Sequence, residues 1–277
     1  MSASIETKTL PSGAKIPVVG LGVYLSEPGA ETYNAVLSAL KQGYRHVDTA
    51  QYYQNEADVG RAIEDSGIPR EEIFVTSKLF VQNWGYEKAL QTTKESNEKL
   101  GLGYIDLYLL HAPGDAATRD ETWRALEELQ EQGILKDIGV SNFGEAHLEK
   151  LLKTAKVKPA VNQVELHPWL TRTSLVKYCK ENGIFLEAYS PLAKAAKLAD
   201  PTLNEIANEV GATPAQVLVA FSLANDFITL PKSVNPDRQK ANLEGANVKL
   251  TPAQIERLAA LDEYLVTGWD PIKDHAV

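Results

Sequence analysis

The order of apolar runs and amphipathic segments predicts an α/β fold, a closed (β/α)8 barrel. Three observations carry this. Eight short apolar runs occur: "IPVVGLG", "YRHVDTA", "IFVTSKL", "IDLYLLHA", "LKDIGVSN", "PAVNQVE", "IFLEAYSP" and "FITLPKS". Helical patterns lie between them, and strands that alternate with helices make a parallel sheet. The run ends recur about every 30 residues, the length of one strand–helix unit, with no linker, low-complexity tract or composition break. The 277 residues then read as a single domain over 1–277, since such barrels reach about 250 residues as one unit.

The elements follow in order. Residues 5–17, "IETKTLPSGAKIP", read as a β-hairpin that turns at Ser12-Gly13 and plugs the N-terminal end of the barrel. Amphipathic segments lie at 30–42, 55–66, 86–100, 120–132, 145–155, 171–182 and 201–211. "TRTSLVKY" offers Thr and Ser as helix caps, and "TPAQ" at 213–216 has Thr, Pro and Gln in capping-box order. Gly43, Gly67, Gly101, Gly133 and Gly183 mark helix ends. "VVGLGVY" and "KLGLGYI" each stop at the second glycine, so no complete G-x-G-x-x-G supports an open nucleotide-binding sheet.

A net charge of −9 argues against general binding of nucleic acid or anionic membrane. An anionic ligand must then be held by a local basic site. Cys179 is the single cysteine; with no base or second thiol near it in sequence it reads as structural. The start "MSASIETKTLPSG" lacks the apolar core of a signal peptide, and no apolar run approaches the ~18 residues of a membrane span. A cytoplasmic monomer is expected. His46, His147 and His167 lack metal-ligand spacing, so no metal is expected; His167 reads as fixing a loop and His275 as solvated.

In such a barrel the active site forms at the C-terminal strand ends. Those ends are polar in seven consecutive runs: Asp48, Lys78, His111, then Ser141 and Asn142, Asn162 and Gln163, Tyr189 and Ser190, and Lys232. Taken alone, "YRHVDTAQYYQNE" also fits a surface loop with an Asx turn and packed tyrosines. Convergence of all the ends on one mouth favours a site.

The pieces "GYRHVDTAQYYQNEADVG", "FVTSKL", "YIDLYLLHAP", "IGVSNF", "VNQVELHP", "EAYSPL" and "LPKSVNPDRQKAN" resemble the aldo-keto reductases over nearly the whole chain. The length is similar to the microbial branch, which includes 2,5-diketogluconate reductases and yeast carbonyl reductases. The resemblance implies a TIM barrel that reduces aldehydes and ketones with NADPH. It implies a catalytic set of Asp48, Tyr53, Lys78 and His111, with Tyr53 as proton donor. The chemistry needs these types. A hydride must come from a cofactor, because no side chain supplies one. A phenol, ordinarily near pKa 10, is expected to be made more acidic by the Lys78 ammonium, which Asp48 keeps charged. His111 would orient the carbonyl oxygen. Tyr52, one step along, is expected to point elsewhere and pack.

The resemblance also implies cofactor contacts. Gly22, Val23 and Tyr24 lie at the first strand end. Ser141, Asn142 and Gln163 would bond the carboxamide, and Tyr189 would stack on the nicotinamide. Ser190 and Leu192 would lie along the pyrophosphate. Lys232, Ser233, Val234 and Arg238 would surround the 2′-phosphate, for which arginine's forked donors and a helix start are suited, and Asn242 would contact adenine. Ala241 departs from relatives that carry a glutamate contacting adenine. Tyr24, Phe80, Trp84, Ala112, Phe143 and Trp269 are the expected substrate-pocket lining; Phe80 and Ala112 stand where tryptophan is common, and the Ala112 change is expected to widen the pocket. The tail "VTGWDPIKDHAV" could fold over the mouth. Two other readings stay open: a Schiff-base aldolase using Lys78, and a non-catalytic nucleotide-binding barrel.

Overall fold

The computed structural model describes residues 6–274 and 276–277. Ile5 of the expected hairpin and His275 lie outside the described residues. Strands β1 (Thr7–Thr9) and β2 (Lys15–Pro17) pair antiparallel. Their loop turns one residue earlier than expected, with Pro11 and Ser12 at its centre and Gly13 N–H donating to the Leu10 carbonyl at 2.9 Å. Gly13, at φ +90°, takes the left-handed place that closes a three-residue hairpin. Leu10 and Ile16 of the hairpin pack with Phe74, Val161 and Ile228. These three begin their strands, so the hairpin covers the N-terminal end of the barrel.

The eight apolar runs form β3 (Leu21–Gly22), β4 (His46–Asp48), β5 (Phe74–Leu79), β6 (Ile105–Leu110), β7 (Leu135–Ser141), β8 (Val161–Glu165), β9 (Phe185–Tyr189) and β10 (Ile228–Leu230). Each pairs parallel with the next in chain order. Parallel bridges Val19↔Thr229 and Gly22↔Lys232 join the last strand to the first. The result is a closed (β/α)8 barrel. Helices α1 (Ala30–Gln42), α2 (Glu56–Asp65), α3 (Tyr86–Leu100), α4 (Arg119–Glu131), α5 (Glu145–Leu152) and α6 (Thr173–Glu181) each follow one strand. Helices α7 (Pro201–Val210) and α8 (Pro214–Ala224) precede β10, and α9 (Pro236–Glu244), α10 (Pro252–Ala259) and α11 (Pro271–Asp274) follow it.

Local chemistry explains the helix ends. Thr213 and Gln216 form the capping box, and Asn235 accepts the Arg238 N–H at the start of α9. Helix α6 departs from expectation. Its first flanking residue is Arg172, left-handed at φ 44°, with no side-chain cap. The Arg172 guanidinium is drawn instead to Asp270 at 3.2 Å and to the Glu165 carbonyl at 3.2 Å.

Strand alternation sorts the side chains. On β5, Val75 and Leu79 join the main core beneath the helices, whereas Phe74, Thr76 and Lys78 face the barrel interior. The same parity places Asn162 outward on β8, where it bonds the Phe143 carbonyl at 2.9 Å. Asn162 is therefore not at the mouth; Gln163 and Glu165 are the inward residues there. Helices α2 and α3 meet closely at Gly60, where an added Cβ would lie 1.9 Å from the Leu100 carbonyl oxygen. Gly60→Ala is expected to lose about 3 kcal/mol, the upper part of the range for overpacking. The check is a lower urea midpoint at unchanged m-value.

Candidate active site

Asp48 ends β4 and Lys78 lies near the end of β5, both inward and both buried. Lys78 Nζ donates to Asp48 Oδ1 at 2.6 Å and Oδ2 at 2.8 Å, and to the Thr49 carbonyl at 3.0 Å. A 3-10 turn, Gln51–Tyr53, follows β4 and swings Tyr53 back over this pair. The Tyr53 hydroxyl lies 3.4 Å from Lys78 Nζ, and Nζ is 5.0 Å from the ring centre. His111, just past β6, stands edge-on to Tyr53 with ring centres 5.6 Å apart. The structure therefore brings Asp48, Tyr53, Lys78 and His111 together at the C-terminal mouth.

The electrostatics correct one expectation. Lys78 Nζ, 3.4 Å away, does not bring the phenol below its ordinary value in this state. Burial, and after it the Asp48 charge, holds the Tyr53 hydroxyl well above the ordinary tyrosine value. The main reason is burial, to which the Asp48 carboxylate beside Lys78 adds. Burial and Lys78 together lower His111 to about 3, so its ring is neutral at physiological pH. Burial also pushes the Asp48 carboxyl up, against Lys78 and the Gln163 amide. The cluster thus presents a firmly protonated phenol and a neutral imidazole, backed by a buried ion pair. It can offer hydrogen to a carbonyl oxygen without exposing a net charge.

Around this centre, the polar groups expected to bond a carboxamide have internal partners. Ser141 Oγ donates to the Gln163 carbonyl at 2.8 Å. Asn142, left-handed at φ 64°, donates to the His111 carbonyl at 3.1 Å and accepts from the Tyr189 hydroxyl at 2.8 Å. Gln163 Nε2 donates to Asp48 Oδ2 at 2.8 Å and Glu187 Oε2 at 2.7 Å. Gly22 and Val23 are buried at the end of β3, and Tyr24 is exposed with its ring 5.1 Å from that of Tyr53. Ser190 and Leu192 are half-buried after β9. Lys232, Val234 and Arg238 are exposed around the start of α9, while Ser233 and Asn242 are buried beside them. Among the described residues neither Lys232 nor Arg238 has a carboxylate partner.

The expected substrate lining divides. Tyr24, Phe80 and Trp269 have accessible surface. Phe143 has none; it packs in the main core beside Arg119 and His147. Ala112 and Trp84 are likewise buried, with the Trp84 ring against Gly114. Tyr52, expected to pack elsewhere, is 54% exposed. Its ring stacks on Phe80 at 5.0 Å and stands edge-on to His111 at 6.3 Å, so it belongs to the rim. The tail reaches the mouth too. Glu165 accepts Thr267 N–H at 3.1 Å and His167 Nε2 lies 3.1 Å from it, so His167 fixes this loop. Cys179 is buried, its thiol pushed up to about 11 by burial.

Residues 20–263 match the model of the Aldo/keto reductase family. This chain belongs to that family. The 9,11-endoperoxide prostaglandin H2 reductase of Trypanosoma cruzi is 43% identical over 274 residues, covering 98% of this chain and 96% of the relative. The glyoxal reductase of Bacillus subtilis is 43% identical, covering 96% of each. The solved structure of a Bombyx mori aldo-keto reductase in complex with NADP superposes with TM-score 0.90 at 31% identity, covering 96% of this chain and 95% of that one. This aldo-keto reductase is thus an oxidoreductase of a carbonyl-reducing family, and its strand-end polar residues sit on the family's barrel. No helix among the described residues is long and apolar enough to cross a membrane.

Proposed function

We propose that the protein is an NADPH-dependent reductase of small aldehydes and ketones. The observation that carries the reading is the Tyr53 hydroxyl at 3.4 Å from Lys78 Nζ with Lys78 locked on Asp48 at 2.6 Å, at the mouth that His111 also faces. When bound, NADPH supplies a hydride from nicotinamide C4 to the carbonyl carbon. The protein's own residues do the rest. Tyr53 holds the proton that passes to the carbonyl oxygen; its raised pKa keeps it loaded, and a phenol is still a stronger acid than the alcohol formed. Lys78 stabilises the phenolate as it forms, where a preorganised charge has its effect. Neutral His111 donates to the oxygen and orients it. Tyr189 is fixed through Asn142 so that its ring can flank the nicotinamide.

The residues present fit the cofactor. Lys232 and Arg238 are exposed cations beside the start of α9, without acidic partners among the described residues, on a chain of net charge −9. Such a site suits the 2′-phosphate, which favours NADPH over NADH. A neighbour solved with NADP supports the same choice. Tyr52, Tyr24, Phe80 and Trp269 give the opening an apolar rim for the carbonyl substrate.

The test is oxidation of NADPH with a panel of aldehydes and α-dicarbonyls, followed by nicotinamide absorbance. Arg238→Ala is expected to raise the KM for NADPH about tenfold and leave that for NADH unchanged; equal effects on both would remove the 2′-phosphate assignment. A Schiff-base aldolase is disfavoured because it needs an uncharged lysine, and Lys78 is paired with a carboxylate on two oxygens.

A further inference from the structure

Glu187 is a buried acid that the proposed chemistry does not use. It occupies the inward position of β9 between Phe185 and Tyr189 and has no accessible surface. Gln163 on β8 and Ile228 on β10 are its register neighbours. Gln163 Nε2 donates to Glu187 Oε2 at 2.7 Å and to Asp48 Oδ2 at 2.8 Å, so a single amide joins two carboxyl groups. The other oxygen, Oε1, has no hydrogen-bond partner among the described residues and lies 3.6 Å from His46 Nε2.

For a neutral His46 ring the hydrogen-bond partners assign the tautomer. His46 Nδ1 lies 3.2 Å from the Pro17 carbonyl, which can only accept, so Nδ1 carries the hydrogen. Nε2 of the neutral ring is then an acceptor, with the Thr76 hydroxyl at 3.0 Å able to donate to it. An ionised Glu187 would set Oε1 against that lone pair. The charged and titratable groups facing Glu187 are His46 and Asp48 from β4, Tyr53 beyond them, and Lys78 from β5; Gln163 on β8 and Ile228 on β10 are uncharged.

We propose that Glu187 is held as a neutral acid, its proton on Oε1 directed at His46 Nε2, and that in this form it is a positioning residue for Asp48 through the shared Gln163 amide. The inference rests on the roles given above to Asp48, Lys78 and Tyr53. An ionised Glu187 would compete with Asp48 for the amide and for Lys78, and would add a negative charge that disfavours the phenolate. Burial and the Asp48 charge act in the same direction, pushing the Glu187 carboxyl up to about 8, while burial lowers His46 to about 3. The stability that a protonated Glu187 contributes is full below its ordinary 4.5 and is lost as pH rises to about 8.

Two measurements test this. In wild-type protein, the Glu187 Cδ carbon, assigned by NMR through the chain, should show a protonated carboxyl at neutral pH that titrates near 8; a carboxylate signal at neutral pH overturns the proposal. The second compares variants. Glu187→Leu is expected to lower kcat roughly tenfold with little change in KM. Glu187→Gln should restore most of it, because its amide offers N–H to His46 and a carbonyl to Gln163, the pattern of the neutral acid. In wild type kcat should decline above about pH 8, and in Glu187→Gln that decline should be absent. The folding constant of Glu187→Gln relative to wild type should also grow on the order of a hundredfold between about pH 5 and about pH 8. Identical pH profiles, or a stability difference flat with pH, overturn the proposal. The NMR and folding measurements need no turnover, so a protein that reduced no carbonyl would sink the reductase reading and leave Glu187 separately decided. If the variants do not fold, the wild-type resonance still decides it.

Discussion

Tyr53→Phe is expected to lower kcat for carbonyl reduction by about a thousandfold, within the range for removing a positioned general acid. The Kd for NADPH should stay within about twofold. The substitution removes one oxygen and keeps the ring, so the contacts with Tyr24 at 5.1 Å and His111 at 5.6 Å survive. What disappears is a hydroxyl 3.4 Å from Lys78 Nζ on a ring that also faces His111. Burial keeps that hydroxyl protonated far beyond neutrality, so wild-type turnover should not fall through loss of the Tyr53 proton near neutral pH. Near-normal turnover in the Phe variant would defeat the role given to Tyr53.

Lys78→Met should affect both stability and activity. It leaves the Asp48 carboxylate in the barrel interior without its cation, and breaking a buried pair from one side costs about 3–5 kcal/mol. The double variant Asp48→Asn/Lys78→Met removes both charges and should recover most of that loss. Neither variant should reduce carbonyls, because the cation beside Tyr53 is gone from both. Chemical denaturation paired with turnover measures the two effects separately. A single variant as stable as wild type would mean that Asp48 is not held by Lys78; a double variant that regained activity would mean that Lys78 acts only through the fold.

Much of the site was legible because strand ends announce themselves. An apolar run that stops on Asp, Lys or His has no packing reason to do so, and a closed barrel brings every such end to one rim. Residue parity was harder to read. Asn162 and Gln163 are neighbours in sequence, yet the pleat turns one toward Phe143 and the other toward Asp48. Counting from the inward Lys78 does not carry across strands whose starts are uncertain by a residue. Glu187 was missed because one acid inside "IFLEAYSP" resembles noise until Gln163 and His46 are seen around it. Tyr52 was misread because only the fold brings Phe80 and His111 beside it at the rim. Arg172 displaced the expected Thr and Ser caps of α6 for a tertiary reason, its ion pair with Asp270, which no local pattern contains. Phe143 and Ala112 lie two residues beyond strand ends, where the chain turns back into the core.

Glu165 waits 102 residues for Thr267, so the rim is the last part of the molecule to be completed as the chain leaves the ribosome. Every barrel strand is already synthesised by then, and the tail adds no rung to their ladder. Its contacts, Thr267 on Glu165 and Ile272 on the main core, therefore close a scaffold whose strand ladder is already complete.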